Sequence, residues 1–128
     1  MISRRTLGIA VLTAILVKPA FAQSEVPFSR AAFEAAQKDG KSILVEIHAS
    51  WCPTCKAQKP IIESFLAKPK FKDLITFRMD FDAQAQEVRA MGAQSQSTLV
   101  VFKGAKEVGR SVGDTNPASI EQLMAAAI

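Results

Sequence analysis

The run "SILVEIHA", Ser42 to Ala49, passes without a turn signal into "SWCPTCK", Ser50 to Lys56. The first part is largely apolar and reads as a central β-strand. The second part holds Cys52 and Cys55, the only two cysteines of the chain. Pro53 follows the first cysteine and suits the first position of a helix. The chain therefore has to turn a buried strand directly into a helix at Cys52. A ring closed by cysteines three apart constrains the unfolded chain little, about 2 kcal/mol in the chain-entropy model. Such a pair is badly placed to staple a fold. It is left as a redox pair, half of a metal site or a coincidence.

The remaining elements follow from periodicity and punctuation. "FSRAAFEAAQKDGK" reads as a helix capped by Ser29 and ended by Gly40. "PTCKAQKPIIESFLA" continues the cysteine segment as a helix, with Pro60 expected to kink it. "LITFRMDF" is a second strand, and residues 82–91 read as a short helix stopped by Gly92. "STLVVFK" and "KEVGRSVG" flank Gly104 as an antiparallel hairpin. "NPASIEQLMAAAI" closes the chain as a helix, with Asn116 as cap and Pro117 in its first turn. The order α-β-α-β-α-β-β-α gives an α/β domain with a central mixed sheet flanked by helices.

The first 22 residues read as an export signal rather than part of that domain. A basic start at Arg4 and Arg5 precedes the apolar run "TLGIAVLTAILV", and Ala20-Phe21-Ala22 forms a small-residue cleavage site. The general secretory (Sec) and twin-arginine routes both fit this start. Residues 23–128 then form the mature domain, expected in the periplasm or secreted. The whole chain has 16 Lys+Arg against 12 Asp+Glu, a net charge of +4. Arg4, Arg5 and Lys18 leave with the signal, so 13 against 12 remain and the mature charge is +1. That near-neutral balance gives no basic patch for nucleic acid.

In an oxidising compartment a close cysteine pair can exchange electrons. Cys52 stands at the helix start, near unpaired N–H groups and the positive end of the dipole, which lowers a thiol pKa. The thiolate is the attacking species in disulfide exchange. Cys55 lies one turn further on and is expected to be the more buried, resolving thiol. Glu46 shares a strand face with His48 and Ser50. A buried carboxyl has a raised pKa, so Glu46 is the candidate proton acceptor for Cys55, directly or through water. Trp51 beside the nucleophile reads as a shield that meets substrates.

These residues resemble the thioredoxin superfamily over nearly the whole mature chain, so a thioredoxin fold is expected. The family's buried acid, its W-C-x-x-C-K motif and its helix proline match Glu46, "WCPTCK" and Pro60. Arg78 and Asp82 fall on a basic residue and an Asp of the next strand, Gly92 precedes the substrate loop, and "TLVVFK" and Val112-Gly113 match later motifs. The resemblance implies a thiol:disulfide oxidoreductase acting on protein disulfides or dithiols, with no bound cofactor. It places Arg78 near Glu46, and substrate contacts on the loop of Gln96, Ser97 and Thr98. Pro53, Thr54, Lys56 and Arg78 become tuning residues. Thr54 lacks the positive charge of a histidine, which tilts the pair towards a reductant. A membrane electron-transfer protein is the kind of donor the resemblance implies, and a monomer is expected.

Two departures stand out. The buried acid is Glu rather than Asp, and Ser97 replaces the family's cis-proline. Either Gln96–Ser97 is a cis peptide, or the loop is trans and reshaped. Metal binding is the first competing reading, but a zinc site lacks its other half, with His48 the only histidine. A binding or chaperone scaffold is the second.

Overall fold

The computed structural model describes residues 13–15 and 25–128. Apart from 13–15, the expected export signal at 1–22 lies outside the described residues, as does the expected start of the mature domain at 23. The elements are β1 (Val26–Pro27), α1 (Arg30–Lys38), β2 (Ser42–His48), α2 (Pro53–Leu66), β3 (Leu74–Asp80), α3 (Ala85–Ala90), β4 (Thr98–Lys103), β5 (Lys106–Val112) and α4 (Pro117–Ala125). A short 3-10 turn at Pro69–Phe71 links α2 to β3. The sheet runs β1-β3-β2-β4-β5, with β1, β3 and β2 parallel and β4 and β5 antiparallel. The expected mixed sheet flanked by helices is the architecture found.

Alternation along β2 sorts the core into two layers. Ile43, Val45 and Ile47 pack with Phe33 and Ala36 of α1 and Val88 of α3. Leu44 packs on the other side with Ile62, Phe65 and Leu66 of α2 and Ile120 and Met124 of α4. Glu46 is in phase with Leu44, so it lies under α2, the helix that carries both cysteines. Every extra methylene buried in these layers contributes about 0.8 kcal/mol. A buried charge costs several kcal/mol, so Glu46 is the expensive position of the strand.

The caps sit where the sequence places them. Ser29 accepts from Ala32 N–H, and Asn116 accepts from Ala118 and Ser119 N–H. Gly92 ends α3 with φ +71°, a left-handed position that suits glycine. Gly109 has a different reason. A Cβ there would stand 2.7 Å from Leu123 Cδ1, so a side chain would force the Leu123 side chain to shift.

Three readings need correction. The helix expected over 82–91 starts only at Ala85. Asp80 Oδ1 accepts from the N–H groups of Asp82 and Ala83, and this side-chain turn delays the helix. Asp82 consequently lies beyond β3, in that turn, rather than on the strand. The strand β1 had no signal, because two residues carry no periodicity. It pairs at the sheet edge, where Pro27 loses no ladder bond by lacking an N–H.

Candidate active site

The two thiols meet at the N-terminus of α2. Cys52 is the N-cap of that helix, and its Sγ accepts from Cys55 N–H at 3.1 Å. Both thiols are free. Ser97 comes from the loop before β4 and places its Oγ 3.1 Å from Cys52 Sγ and 3.1 Å from Cys55 Sγ. Ala49 and Phe81 pack against the pair.

The electrostatics separate the two sulfurs. Burial opposes ionisation of Cys52, but hydrogen bonds from the Cys55 thiol, the Ser97 hydroxyl and the N–H groups of Cys55 and Thr54 outweigh it. The Cys52 thiol is held below its ordinary pKa. Burial pushes Cys55 up, and the hydrogen bond its thiol makes to Cys52 pushes it further. That asymmetry matches the expected roles, and both thiols are buried. Cys52 is 1% exposed and Cys55 8%. The reason is packing: Cys52 caps the helix beneath the Ser97 loop, so the helix end does not leave it at the surface.

Ser97 settles the loop's backbone. The described residues contain no cis peptide, so Gln96–Ser97 is trans, and Ser97 has φ +63°. A non-glycine residue in that region costs about 1 kcal/mol or more. Its backbone is held in return. Ser97 N–H donates to Ile47 C=O at 2.8 Å, and its own C=O accepts from Gly113 N–H at 2.9 Å and Gln58 Nε2 at 3.2 Å. Gln58 also donates to Asp114 C=O at 2.8 Å, tying α2 to two loops. Gln58 went unnoticed in the sequence, although it is a polar residue on the face of α2 that carries Cys55 and Ile62.

Around the pair, the remaining named residues divide. Trp51 is 55% exposed, and its indole N–H donates to Asp82 Oδ2 at 2.7 Å, forming a wall beside Cys52. Pro53 is exposed and Thr54 half-buried on the first turn of α2. Lys56 is exposed, and its side chain makes no hydrogen bond or ion pair among the described residues. Gln96 is half-buried in the loop. Thr98 lies inside the sheet, its hydroxyl donating to Ser95 C=O at 2.8 Å, so its side chain is not at the surface.

Beneath α2, Arg78 stands beside Glu46 as expected, with Nε 3.9 Å from Glu46 Oε2. It is nearer to Glu25, at 3.3 Å. Glu25 was not foreseen, since it precedes a strand too short to read. Burial raises the Glu46 carboxyl to about 8, the charge of Glu25 adds to the rise, Arg78 opposes it, and a hydrogen bond to Glu25 favours the protonated form. Glu46 makes no direct hydrogen bond to Cys55. His48 ends β2 beside Glu25, Arg78 and Asp80 at a surface cavity. Among the described residues, no group of three or more His, Cys, Asp or Glu side chains could hold a metal ion.

The thioredoxin family model matches residues 24–126. The chain belongs to the thioredoxin family. Thioredoxin-1 of Saccharomyces cerevisiae is 38% identical over 99 residues, covering 73% of this chain and 88% of the yeast protein. Thioredoxin-2 of the same yeast is 35% identical over 98 residues, covering 76% and 91%. The crystal structure of Trxlp from Edwardsiella tarda superposes with a TM-score of 0.77 at 37% identity, covering 79% of this chain and 98% of that one. The likeness thus extends through the cysteine helix and the Ser97 loop, and a thioredoxin fold is the fold of this chain.

Proposed function

We propose that this thioredoxin-family protein works through Cys52 and Cys55 as a thiol:disulfide oxidoreductase on partner proteins. The observation that carries the reading is the pair of free thiols at the start of α2, one favoured and one disfavoured as thiolate. Cys52 attacks a partner disulfide, forming a mixed disulfide and releasing one partner thiolate. Cys55 then gives up its proton and attacks Cys52 Sγ. The Cys52–Cys55 disulfide forms, and the second partner sulfur leaves. Two electrons pass to the partner. In reverse, the same steps oxidise it.

Glu46 is the proton acceptor of this reading, with Arg78 and Glu25 setting its charge. Its raised pKa supports the role, and a water between it and Cys55 completes the path. Trp51 and Gln96 form the surface that partners meet, with Ser97 buried behind them, while Pro53, Thr54 and Lys56 tune the thiols. The absence of a positive side chain between the cysteines supports a reducing direction. Residues 1–22 support export to the periplasm or beyond, where a membrane electron-transfer protein would keep the pair reduced and the domain would act as a monomer.

The test uses a protein substrate held by disulfides, with dithiothreitol as electron source. The chain accelerates reduction of the substrate. The double variant Cys52→Ser, Cys55→Ser is expected to lose that acceleration entirely. If the double variant keeps the full effect, the protein is a binding scaffold and its cysteines are incidental.

A further inference from the structure

We propose that the Ser97 hydroxyl is a positioning residue that holds the Cys52 thiolate, stabilises the reduced pair over the disulfide and so sets the pair's potential. The inference rests on the oxidoreductase reading above. A hydroxyl has one proton to donate and lone pairs to accept. Standing 3.1 Å from both sulfurs, Ser97 Oγ can donate its one proton to the Cys52 thiolate. When the disulfide forms, the charge on Cys52 and the proton on Cys55 both disappear. The hydroxyl then faces two neutral sulfurs, which are weak acceptors.

Bulk solvent does not bathe the contact, because Ser97 is 3% exposed and both cysteines are buried. The hydroxyl is also fixed. The N–H and C=O of Ser97 are bonded to Ile47, Gly113 and Gln58, and its φ of +63° is held by those bonds. A donor aimed in advance at a developing charge needs no reorganisation. The other groups that lower Cys52 are the Cys55 thiol and the N–H groups of Cys55 and Thr54, none of them a charged side chain. Ser97 therefore carries a share of the stabilisation that no lysine or histidine supplies here. Stabilising the reduced form raises the potential, so Ser97 makes this pair a weaker reductant than its sequence between the cysteines suggests.

The balance is simple. The reduced pair, one thiolate and one thiol, meets glutathione disulfide. The Cys52–Cys55 bond forms, the glutathione bond breaks, and one glutathione thiol and one thiolate leave. The thiolate takes its proton from water.

The experiment compares the full chain with Ser97→Ala and Ser97→Gly. Glycine also removes the hydroxyl, and it accepts a positive φ without strain. Two quantities are read: the pH dependence of Cys52 alkylation, and the equilibrium with glutathione. Both variants are expected to raise the Cys52 pKa by about one unit and to shift the equilibrium about tenfold towards the disulfide, about 30 mV more negative. Unchanged values in both variants overturn the inference while leaving the oxidoreductase reading intact. A shift in Ser97→Ala alone assigns the effect to backbone strain and also overturns it. If the unaltered chain forms no Cys52–Cys55 disulfide, the oxidoreductase reading fails, and the role of Ser97 falls with it.

Discussion

Replacing Cys52 by serine is expected to lower the rate of disulfide exchange by a factor of at least about 10³, while replacing Cys55 by serine stops the reaction half-way. The two thiols sit at the same helix end, yet their environments part them. Burial works against a thiolate at Cys52, and the hydrogen bonds it accepts prevail. At Cys55 burial prevails. A chain with only Cys52 still attacks a partner disulfide and then has no thiol to resolve the product. It should accumulate as a covalent adduct with the partner, visible by mass spectrometry and released by reductant. A chain with only Cys55 should form little adduct. Equal adduct yields from the two variants would show that the assignment of nucleophile and resolving thiol is wrong.

The second large effect concerns Glu46 and pH. In the fold its carboxyl titrates at about 8, against 4.5 for the free group. Between those values the unfolded chain has lost a proton that the folded chain keeps. The contribution is therefore fully present below about pH 4.5 and is lost as pH rises through 8. One such proton gives a slope of at most about 1.4 kcal/mol per pH unit. Glu46→Gln cannot ionise, so its stability relative to the unaltered protein should climb steadily across this window and level off above it. Urea unfolding of both proteins with reduced cysteines, from pH 4 to 9, measures the difference directly. Parallel curves would mean that Arg78 keeps Glu46 ionised in the fold with an ordinary carboxyl pKa, which would leave it a much weaker base for the Cys55 proton.

Much of this arrangement could be read from the residues. The apolar run of β2 and the punctuation by Ser29, Gly92 and Asn116 put the elements in place, because each signal is local. Cys52 at the strand-to-helix junction followed from its neighbours alone. The proximity of Arg78 to Glu46 followed from the family resemblance, and the parallel register of β2 and β3 brings them opposite each other. The rest was hidden for physical reasons. Glu25 reaches the buried acid from a two-residue edge strand, and no pattern marks such a strand. Asp80 reshapes the start of α3 through side-chain bonds that compete with helix formation. The positive φ of Ser97 is set by partners distant in sequence, Ile47, Gly113 and Gln58. The burial of Cys52 likewise depends on a loop 45 residues away.

The most direct test is a redox titration of the protein against glutathione, with the free thiols counted at each point. One reversible two-electron transition is expected, in which the Cys52 and Cys55 thiols are lost together as an intramolecular disulfide. Its midpoint should lie nearer about −270 mV than about −120 mV. Two thiols that remain free across that range, or react independently of each other, would show that Cys52 and Cys55 are not a working redox pair.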